Sequence, residues 1–442
     1  MKGLLFTYAL TFGGAAAGLY YPFYGLLAYI ALALLKPEFL WYWAVPEGNY
    51  SRIVGIALLV GWMVHGFGKW HFGRAKSIVV ALVGFWLWSI LGASVAADQA
   101  VARKYAEELT KIVLPFLVGI TVIDSVAKLK QLAWVIVICE GYVAFEMNLS
   151  YYGGYNRLQE AGFGGMDNNC NGIAMITVLG FAFFLGSNAP RWWQRAVALG
   201  CALALAHAVF IAFSRGAMLA MIITGALACF LIPKRPKHVL ILALGLLLLF
   251  RLAGAEVQER FMTTFAKKEE RDASAEARLK NWQACLQAVS EQPLLGVGPA
   301  HWHLVSPRYG LPSMEAHTLW LQLAAEQGIL GLALLLLFYG ICIVKLWPLA
   351  REQRPVSDPW LHDAARMVIA SLTGFMVSAQ FVSMQGLEVP YYVVLLGAGA
   401  LKLDSCVAPH WQSCQTQCFH PWRVPAVADR GPVSCCTLGG SD

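Results

Sequence analysis

Three residues in the second half of the chain carry groups suited to handling an anionic or hydroxylated ligand: Arg215, Arg278 and His317. Arg215 sits in Ser214-Arg215-Gly216-Ala217, which interrupts an otherwise apolar run from Ala196 through Ile232. That interruption is too short for an ordinary soluble loop. The arginine therefore either snorkels to lipid headgroups or points into a polar cavity. In a cavity, its planar fork can donate two hydrogen bonds to one phosphate. Gly216 permits a close backbone approach there, and Ser214 joins Arg215 as a substrate-binding candidate. His317 stands where an apolar helix is predicted to begin. The positive end of a helix dipole disfavours the imidazolium form. A neutral imidazole at that position can accept a proton or a hydrogen bond. The alternative is an interfacial histidine satisfied by water.

Between these residues lies a long polar stretch. Glu276, Lys280 and Gln283 fall at helical spacing, and Leu279, Trp282 and Leu286 form an apolar side. Arg278 lies one turn before Trp282, a spacing that lets it lean toward the membrane and cap a cavity. Gly296-Val297-Gly298-Pro299 ends this predicted helix with a tight turn. Gly296 and Gly298 are either a helix stop or, from their place between Arg278 and His317, part of a binding site. His301 and His303 lack an apparent third ligand nearby, so polar loop residues are favoured over a metal site. Thr318, Gln322 and Glu326 share one helix face. An acid at the depth of Glu326 rarely faces lipid. Glu326 and Gln322 are expected to support the His317 helix rather than to act directly. A second loop, residues 149–170, carries Tyr151, Tyr152, Tyr155, Asn156, Arg157 and Asp167-Asn168-Asn169. Tyrosines and amides suit sugar faces and hydroxyls, which makes Tyr155 and Arg157 binding candidates. An ordinary aromatic belt at a membrane interface is the other reading.

The elements that must position these residues are membrane helices. Of 442 residues, 58% are hydrophobic and only 13% charged, about half the charge of a soluble globular protein. Apolar segments fall near 3–36, 53–67, 78–96, 109–124, 130–148, 171–187, 194–213, 215–232, 238–253, 317–346, 364–384 and 388–403. Many reach the roughly 20 residues needed to span a hydrocarbon core. They are too long and too uniformly apolar for barrel strands. The fold class is all-α, a polytopic transmembrane bundle of about twelve spans. The net charge of +7 is not a nucleic-acid signature, because much of it lies in short loops that set orientation. Basic loops at Lys69–Lys76, Lys128–Lys130, Arg191–Arg195, Lys234–Lys237 and Lys345–Arg366 are expected to face the cytoplasm. The loops 37–52, 97–108, 149–170, 254–316 and 385–388, and the turn at Ser214, then lie outside.

The first apolar stretch is too long for one straight span and barely enough for two. A single functional crossing, broken or partly re-entrant at Pro22, is favoured. That stretch lacks a strong basic head and carries Tyr20-Tyr21-Pro22, so it does not read as a cleaved signal peptide. Domain organisation is a transmembrane domain over 1–403, including the loop 254–316, and a Cys-rich tail over 404–442. The tail has five of the 11 cysteines and no apolar period. It is expected to be a disordered cytoplasmic extension, since its Cys and His spacings, with His410 and His420, match no common zinc pattern. Cys139, Cys201, Cys229 and Cys342 lie in apolar runs and read as small packing residues.

Taken in order, these motifs resemble the O-antigen ligase superfamily, which also includes O-antigen polymerases and protein O-oligosaccharyltransferases. The resemblance rests on Ser214-Arg215-Gly216-Ala217, Arg260-Phe261, Arg278 with Trp282, Gly296-Val297-Gly298, His317-Thr318-Leu319-Trp320-Leu321 and Glu326-Gln327-Gly328-Ile329-Leu330-Gly331. Thr318 stands where such proteins commonly carry Asn or Ser. The resemblance implies a GT-C-like fold in the bacterial inner membrane. It also implies metal-independent, inverting transfer of a glycan from undecaprenyl diphosphate at the periplasmic face, without a cofactor. In the ligase branch the acceptor is a lipid A–core sugar hydroxyl. Arg215 and Arg278 would then hold the diphosphate, Arg260 would belong to the binding surface, and His317 would act as base or orienter of the acceptor hydroxyl. The expected partners are the lipid-linked donor, the lipid A–core acceptor and membrane lipid, and no nucleic acid. A flippase is the rival from another class. It predicts charged residues strung through several spans, whereas here the polar residues gather toward one face.

Overall fold

The computed structural model describes residues 2–232, 273–384 and 386–405, with scattered positions between 236 and 251. Met1–Cys406 forms one compact unit. Arg260 and the tail from 406 onward, including His410 and His420, lie outside the described residues. The helices run in chain order, most of the long ones over the apolar segments and the short ones between them. They are α1 (Lys2–Tyr20), α2 (Pro22–Leu35), α3 (Pro37–Leu40), α4 (Tyr50–Val64), α5 (Lys76–Val95), α6 (Gln99–Val122), α7 (Val126–Tyr152), α8 (Arg157–Glu160), α9 (Asn168–Asn188), α10 (Trp192–Ile211) and α11 (Arg215–Leu231). After the undescribed segment come α12 (Ala273–Glu291), α13 (Trp302–Val305), α14 (Leu319–Ala350), α15 (Trp360–Ser378) and α16 (Val389–Ser405). Among the described residues the fold is all-helical, with one isolated bridge between Phe163 and Met166. Eight described stretches are helical, long and apolar enough to cross a membrane, and two shorter apolar helices, Tyr50–Val64 and Arg215–Leu231, accompany them.

The first apolar stretch differs from its expected single crossing. It breaks at Tyr21, with Pro22 at the first position of α2, where a missing N–H costs nothing. Gly14 faces Ala28 and Gly18 faces Gly25. The paired residue numbers rise on one helix as they fall on the other, so α1 and α2 run antiparallel. Small residues let the two backbones meet. Both stretches, Lys2–Tyr20 and Pro22–Leu40, are long and apolar enough to span, which replaces one broken crossing with a helical hairpin.

Helix starts follow local capping chemistry. The Asp98 carboxylate accepts from Ala100 and Val101 N–H, Ser125 Oγ from Lys128 N–H, Asp167 from Cys170 N–H and Ser214 from Ala217 N–H. Each satisfies an orphan amide of a first turn. Small residues also set the close contacts around α15. A Cβ on Gly180 of α9 would come within 2.9 Å of Ala370, and one on Gly374 within 2.6 Å of Thr224 on α11. Of the four cysteines in apolar runs, Cys139 and Cys342 are buried, Cys201 is half-buried and Cys229 is exposed.

The longest helix, α14, is broken. Gly328 takes φ 71° and ψ 179°, and a Cβ there would collide with the Leu294 carbonyl. The break frees carbonyls that a continuous helix would use. Val297 N–H takes Ala325 O at 2.9 Å, Gly298 N–H takes Glu326 O at 2.9 Å, and Trp88 Nε1 takes Gln327 O at 2.9 Å. Ile329 N–H bonds Pro293 O at 2.9 Å in return. The Gly296-Val297-Gly298 segment is thereby docked along the break.

Candidate functional site

The starts of α9, α11 and α14 meet the connection between α15 and α16 on one side of the bundle. A Cβ on Gly172 of α9 would come within 2.9 Å of Ala217 on α11. A Cβ on Gly216 would come within 2.7 Å of Phe381, just past α15. The Thr318 N–H donates to Ser383 Oγ at 3.1 Å, which ties the start of α14 to the same connection. Arg215 is the first residue of α11, and the preceding Phe213 turns the chain with a left-handed φ of 51°. This sharp turn holds the arginine at the helix start.

Arg278 arrives from α12, which is strapped to the segment before His317. Asn281 Nδ2 donates to Glu315 O at 2.9 Å and Trp282 Nε1 to Ala316 O at 3.1 Å. Asn281 is fully buried, and its Oδ1 accepts from Trp302 Nε1 at 2.9 Å. Residues three and four apart share a helix face. The face that grips residues 315 and 316 therefore carries Arg278 one turn away, toward His317.

The segment itself is held from below. Glu326 is fully buried, and its carboxylate accepts from Ala300 N–H, Trp302 N–H and Gln322 Nε2, each at 3.0 Å. Gln322 Oε1 accepts from Ala316 N–H at 2.9 Å, and its Nε2 also donates to Glu315. His317 follows directly in a left-handed conformation, φ 54°, which is unusual for a residue with a side chain.

The three cationic or basic groups act on one another. The charge on Arg215 bears on Arg278, and the charge on Arg278 bears on His317. Asp167, at the cap of α9, opposes both effects. Burial first, and then Arg278, push the His317 imidazole below its ordinary range, against Asp167 and Glu315. The direction agrees with a neutral imidazole, with burial and the Arg278 guanidinium as its causes. The helix itself starts at Leu319 with Thr318 as its cap. Arg278 is likewise pushed down, by burial and then by Arg215.

Residues 200–336 match the family model described as O-antigen ligase. Arg215, Arg278, His317, Gln322 and Glu326 all lie within that segment. Residues 1–187, which include Asp167, match a family of unknown function, DUF5935. No curated protein matches the chain. The O-antigen ligase match supports a place in that superfamily and a glycosyltransferase-like activity at a membrane.

Other candidates sit differently. Gly296, φ 66°, packs against the carbonyls of Ala325 and Glu326, and Gly298, φ 111°, packs against Ala96 and His301. Gly296 needs glycine where it docks against broken α14, and Gly298 needs it for its left-handed φ beside Ala96 and His301. Arg157 donates to the carbonyls of Phe39 and Leu40 and lies over the Tyr42 ring at 5.2 Å. Its guanidinium is committed to the α3 segment. Tyr155 is exposed, with its backbone carbonyl accepting from Ser150 Oγ at 2.7 Å. Ser214 Oγ caps α11. His301 is buried and accepts from Asp98 N–H at Nε2, 3.0 Å, so its Nδ1–H donates to Pro299 O at 2.7 Å. His303 lies 3.9 Å from Glu315. Asp167 and Asn281 were both readable as polar residues. Their place in the site came only from tertiary contact.

Proposed function

We propose that the protein transfers a glycan from undecaprenyl diphosphate to a hydroxyl of lipid A–core at the periplasmic face of the bacterial inner membrane. The observation that carries this reading is that α12 is strapped to the residues just before His317, which brings Arg278 within electrostatic reach of both Arg215 and His317 inside the segment that matches the O-antigen ligase family. The acceptor oxygen attacks the anomeric carbon from the side opposite the leaving group. A new carbon–oxygen bond forms there, and the bond to the diphosphate oxygen breaks with its electron pair moving to that oxygen. Charge grows on the diphosphate as it leaves. Arg215 and Arg278 stabilise it, an electrostatic role that preorganised donors fill well and that guanidinium groups fill without a metal ion. The hydroxyl is a weak nucleophile, and a neutral His317 takes its proton. Burial and Arg278 both favour the neutral form that this step needs. Asp167 offsets part of the positive charge beside the imidazole. Glu326 and Gln322 hold the backbone on which His317 stands.

The test is in vitro transfer from a lipid diphosphate-linked glycan, with lipid A–core, a free glycan and a pilin-like protein offered separately. Transfer to lipid A–core is expected, and its loss in Arg215→Ala, Arg278→Ala and His317→Ala with the folded proteins still in the membrane. Transfer only to the growing glycan would make the protein a polymerase, and transfer only to protein an oligosaccharyltransferase. Movement of lipid-linked glycan across a bilayer with no new glycosidic bond would overturn the reading.

A further inference from the structure

A small cavity of about 40 Å³ lies beside the charged cluster, lined by Lys36, Glu140, Phe163, Asn171 and Glu388 among others. Asn171 stands four residues after Asp167 on α9, about 6 Å deeper along the helix at 1.5 Å per residue. The cavity wall also includes Met384, next to the Ser383 that holds the start of α14. The two features are therefore neighbours that share α9 and the connection between α15 and α16.

The hydrogen bonding around this cavity is unbalanced in a way that specifies a ligand. Asn171 is 1% exposed. Its Nδ2 donates to the carbonyls of Phe163, Met166 and Asp167, which fixes the orientation of the amide. Its Oδ1 is left without a donor among the described residues. Glu140 is 5% exposed in the middle of α7, and it lines the cavity. Glu388 accepts from Tyr392 at 3.1 Å. Lys36, at the left-handed end of α2, donates to Gly164 O at 3.0 Å, and its charge acts on both Glu140 and Glu388. An acid inside a membrane helix is costly to keep and marks a functional position. A buried acceptor without a donor carries a similar cost. Asn171 Oδ1 is such an acceptor, so a partner for it must bring an N–H or O–H group.

We propose that this cavity is a carbohydrate subsite, in which Glu140 and Asn171 accept hydrogen bonds from hydroxyls on the edge of one sugar unit. The inference rests on the glycan-transfer reading above. Glu140 and Asn171 set which sugar is admitted, while the charged cluster beside them acts on the diphosphate. The cavity volume suits a hydroxyl edge rather than a whole ring. The sugar belongs either to the lipid-linked donor or to the acceptor, and the two are separable by experiment.

Steady-state transfer would be measured with donor and acceptor varied independently, in the unaltered protein, Glu140→Gln and Glu140→Asp. The Gln variant is expected to raise KM for one substrate at least tenfold while kcat at saturation stays within about twofold, since an amide offers one acceptor oxygen where the carboxyl group offers two. The Asp variant, with the carboxyl group drawn back by one methylene, should fall between. A rise confined to acceptor KM assigns the cavity to the acceptor, and a rise confined to donor KM assigns it to the donor. Unchanged KM values for both substrates would overturn the inference. A variant that fails to fold would show no turnover, so a second measurement uses the unaltered protein. Modification of Glu140 by an apolar carbodiimide, read by mass spectrometry, should be blocked by one of the two glycan substrates. Labelling that neither substrate slows would overturn the subsite even if transfer is intact. Absence of transfer by the unaltered protein would instead sink the functional reading, with the protection result still standing on its own.

Discussion

Removing the Glu326 carboxylate should loosen the platform beneath His317. In Glu326→Ala the N–H groups of Ala300 and Trp302 both lose an acceptor at 3.0 Å, and Gln322 Nε2 loses one of its two. Trp302 is fully buried, so water cannot readily replace what its amide loses. Each buried amide left unpaired costs roughly 1–3 kcal/mol. At about 1.4 kcal/mol per tenfold, exchange of each amide with solvent should speed up by roughly 5- to 150-fold where local opening governs exchange. Glu326→Gln keeps one oxygen for one amide and turns an NH2 toward the other, so it should lie between the native protein and the Ala variant. Hydrogen exchange with mass spectrometry over residues 298–303, in detergent, reads this directly, with the start of α12 as an internal reference. Transfer should fall in the same order, because Gln322 and Ala316 connect Glu326 to His317. Unchanged exchange at Ala300 and Trp302 in the Ala variant would refute the positioning role, as would full transfer by a variant whose exchange has risen.

The transfer rate should depend on pH through His317. Its imidazole is pushed down by burial and by Arg278, so the neutral form persists below the ordinary histidine value of about 6.5. Activity should hold as pH falls through that value and be lost only as pH passes the lowered pKa. Arg278→Ala removes one of the two causes, so the His317 imidazole of that variant, followed by NMR across roughly pH 5 to 8, should titrate at higher pH than in the unaltered protein. A titration that stays in place would detach His317 from Arg278.

The parts of the fold that were legible in the sequence are those governed by local rules. Each apolar segment within the described residues formed helix, because in lipid the backbone must satisfy itself. Asp98, Ser125, Asp167 and Ser214 begin helices by capping chemistry that acts over three residues. The spacing of Arg278 to Trp282 placed both on one side of α12, and Trp282 indeed grips the segment ahead of His317. What escaped the sequence depends on contacts distant along the chain. The break at Gly328 is satisfied by Val297, Gly298 and Trp88, the last of them 239 residues from its acceptor. Gly296 and Gly298 read locally as a helix stop or as part of a binding site, and nothing local reveals that α14 breaks beside them. The carbonyls that hold Arg157 belong to residues 39 and 40, a contact that its local sequence does not reveal. Glu140 carries no local signal within its apolar run, since its cavity is assembled from α2, α7, α9 and the approach to α16.

The central claim is that Arg215 and Arg278 bind a diphosphate next to His317, and direct binding tests it without any need for turnover. A lipid diphosphate would be titrated into the purified protein in detergent while the His317 imidazole is followed by NMR, in the unaltered chain and in Arg215→Ala, Arg278→Ala and the double variant. Binding should shift the His317 signal in the unaltered protein, weaken at least tenfold in each single variant, and be lost in the double. Equal affinity in the double variant, or binding that leaves the His317 signal unmoved, would contradict the claim.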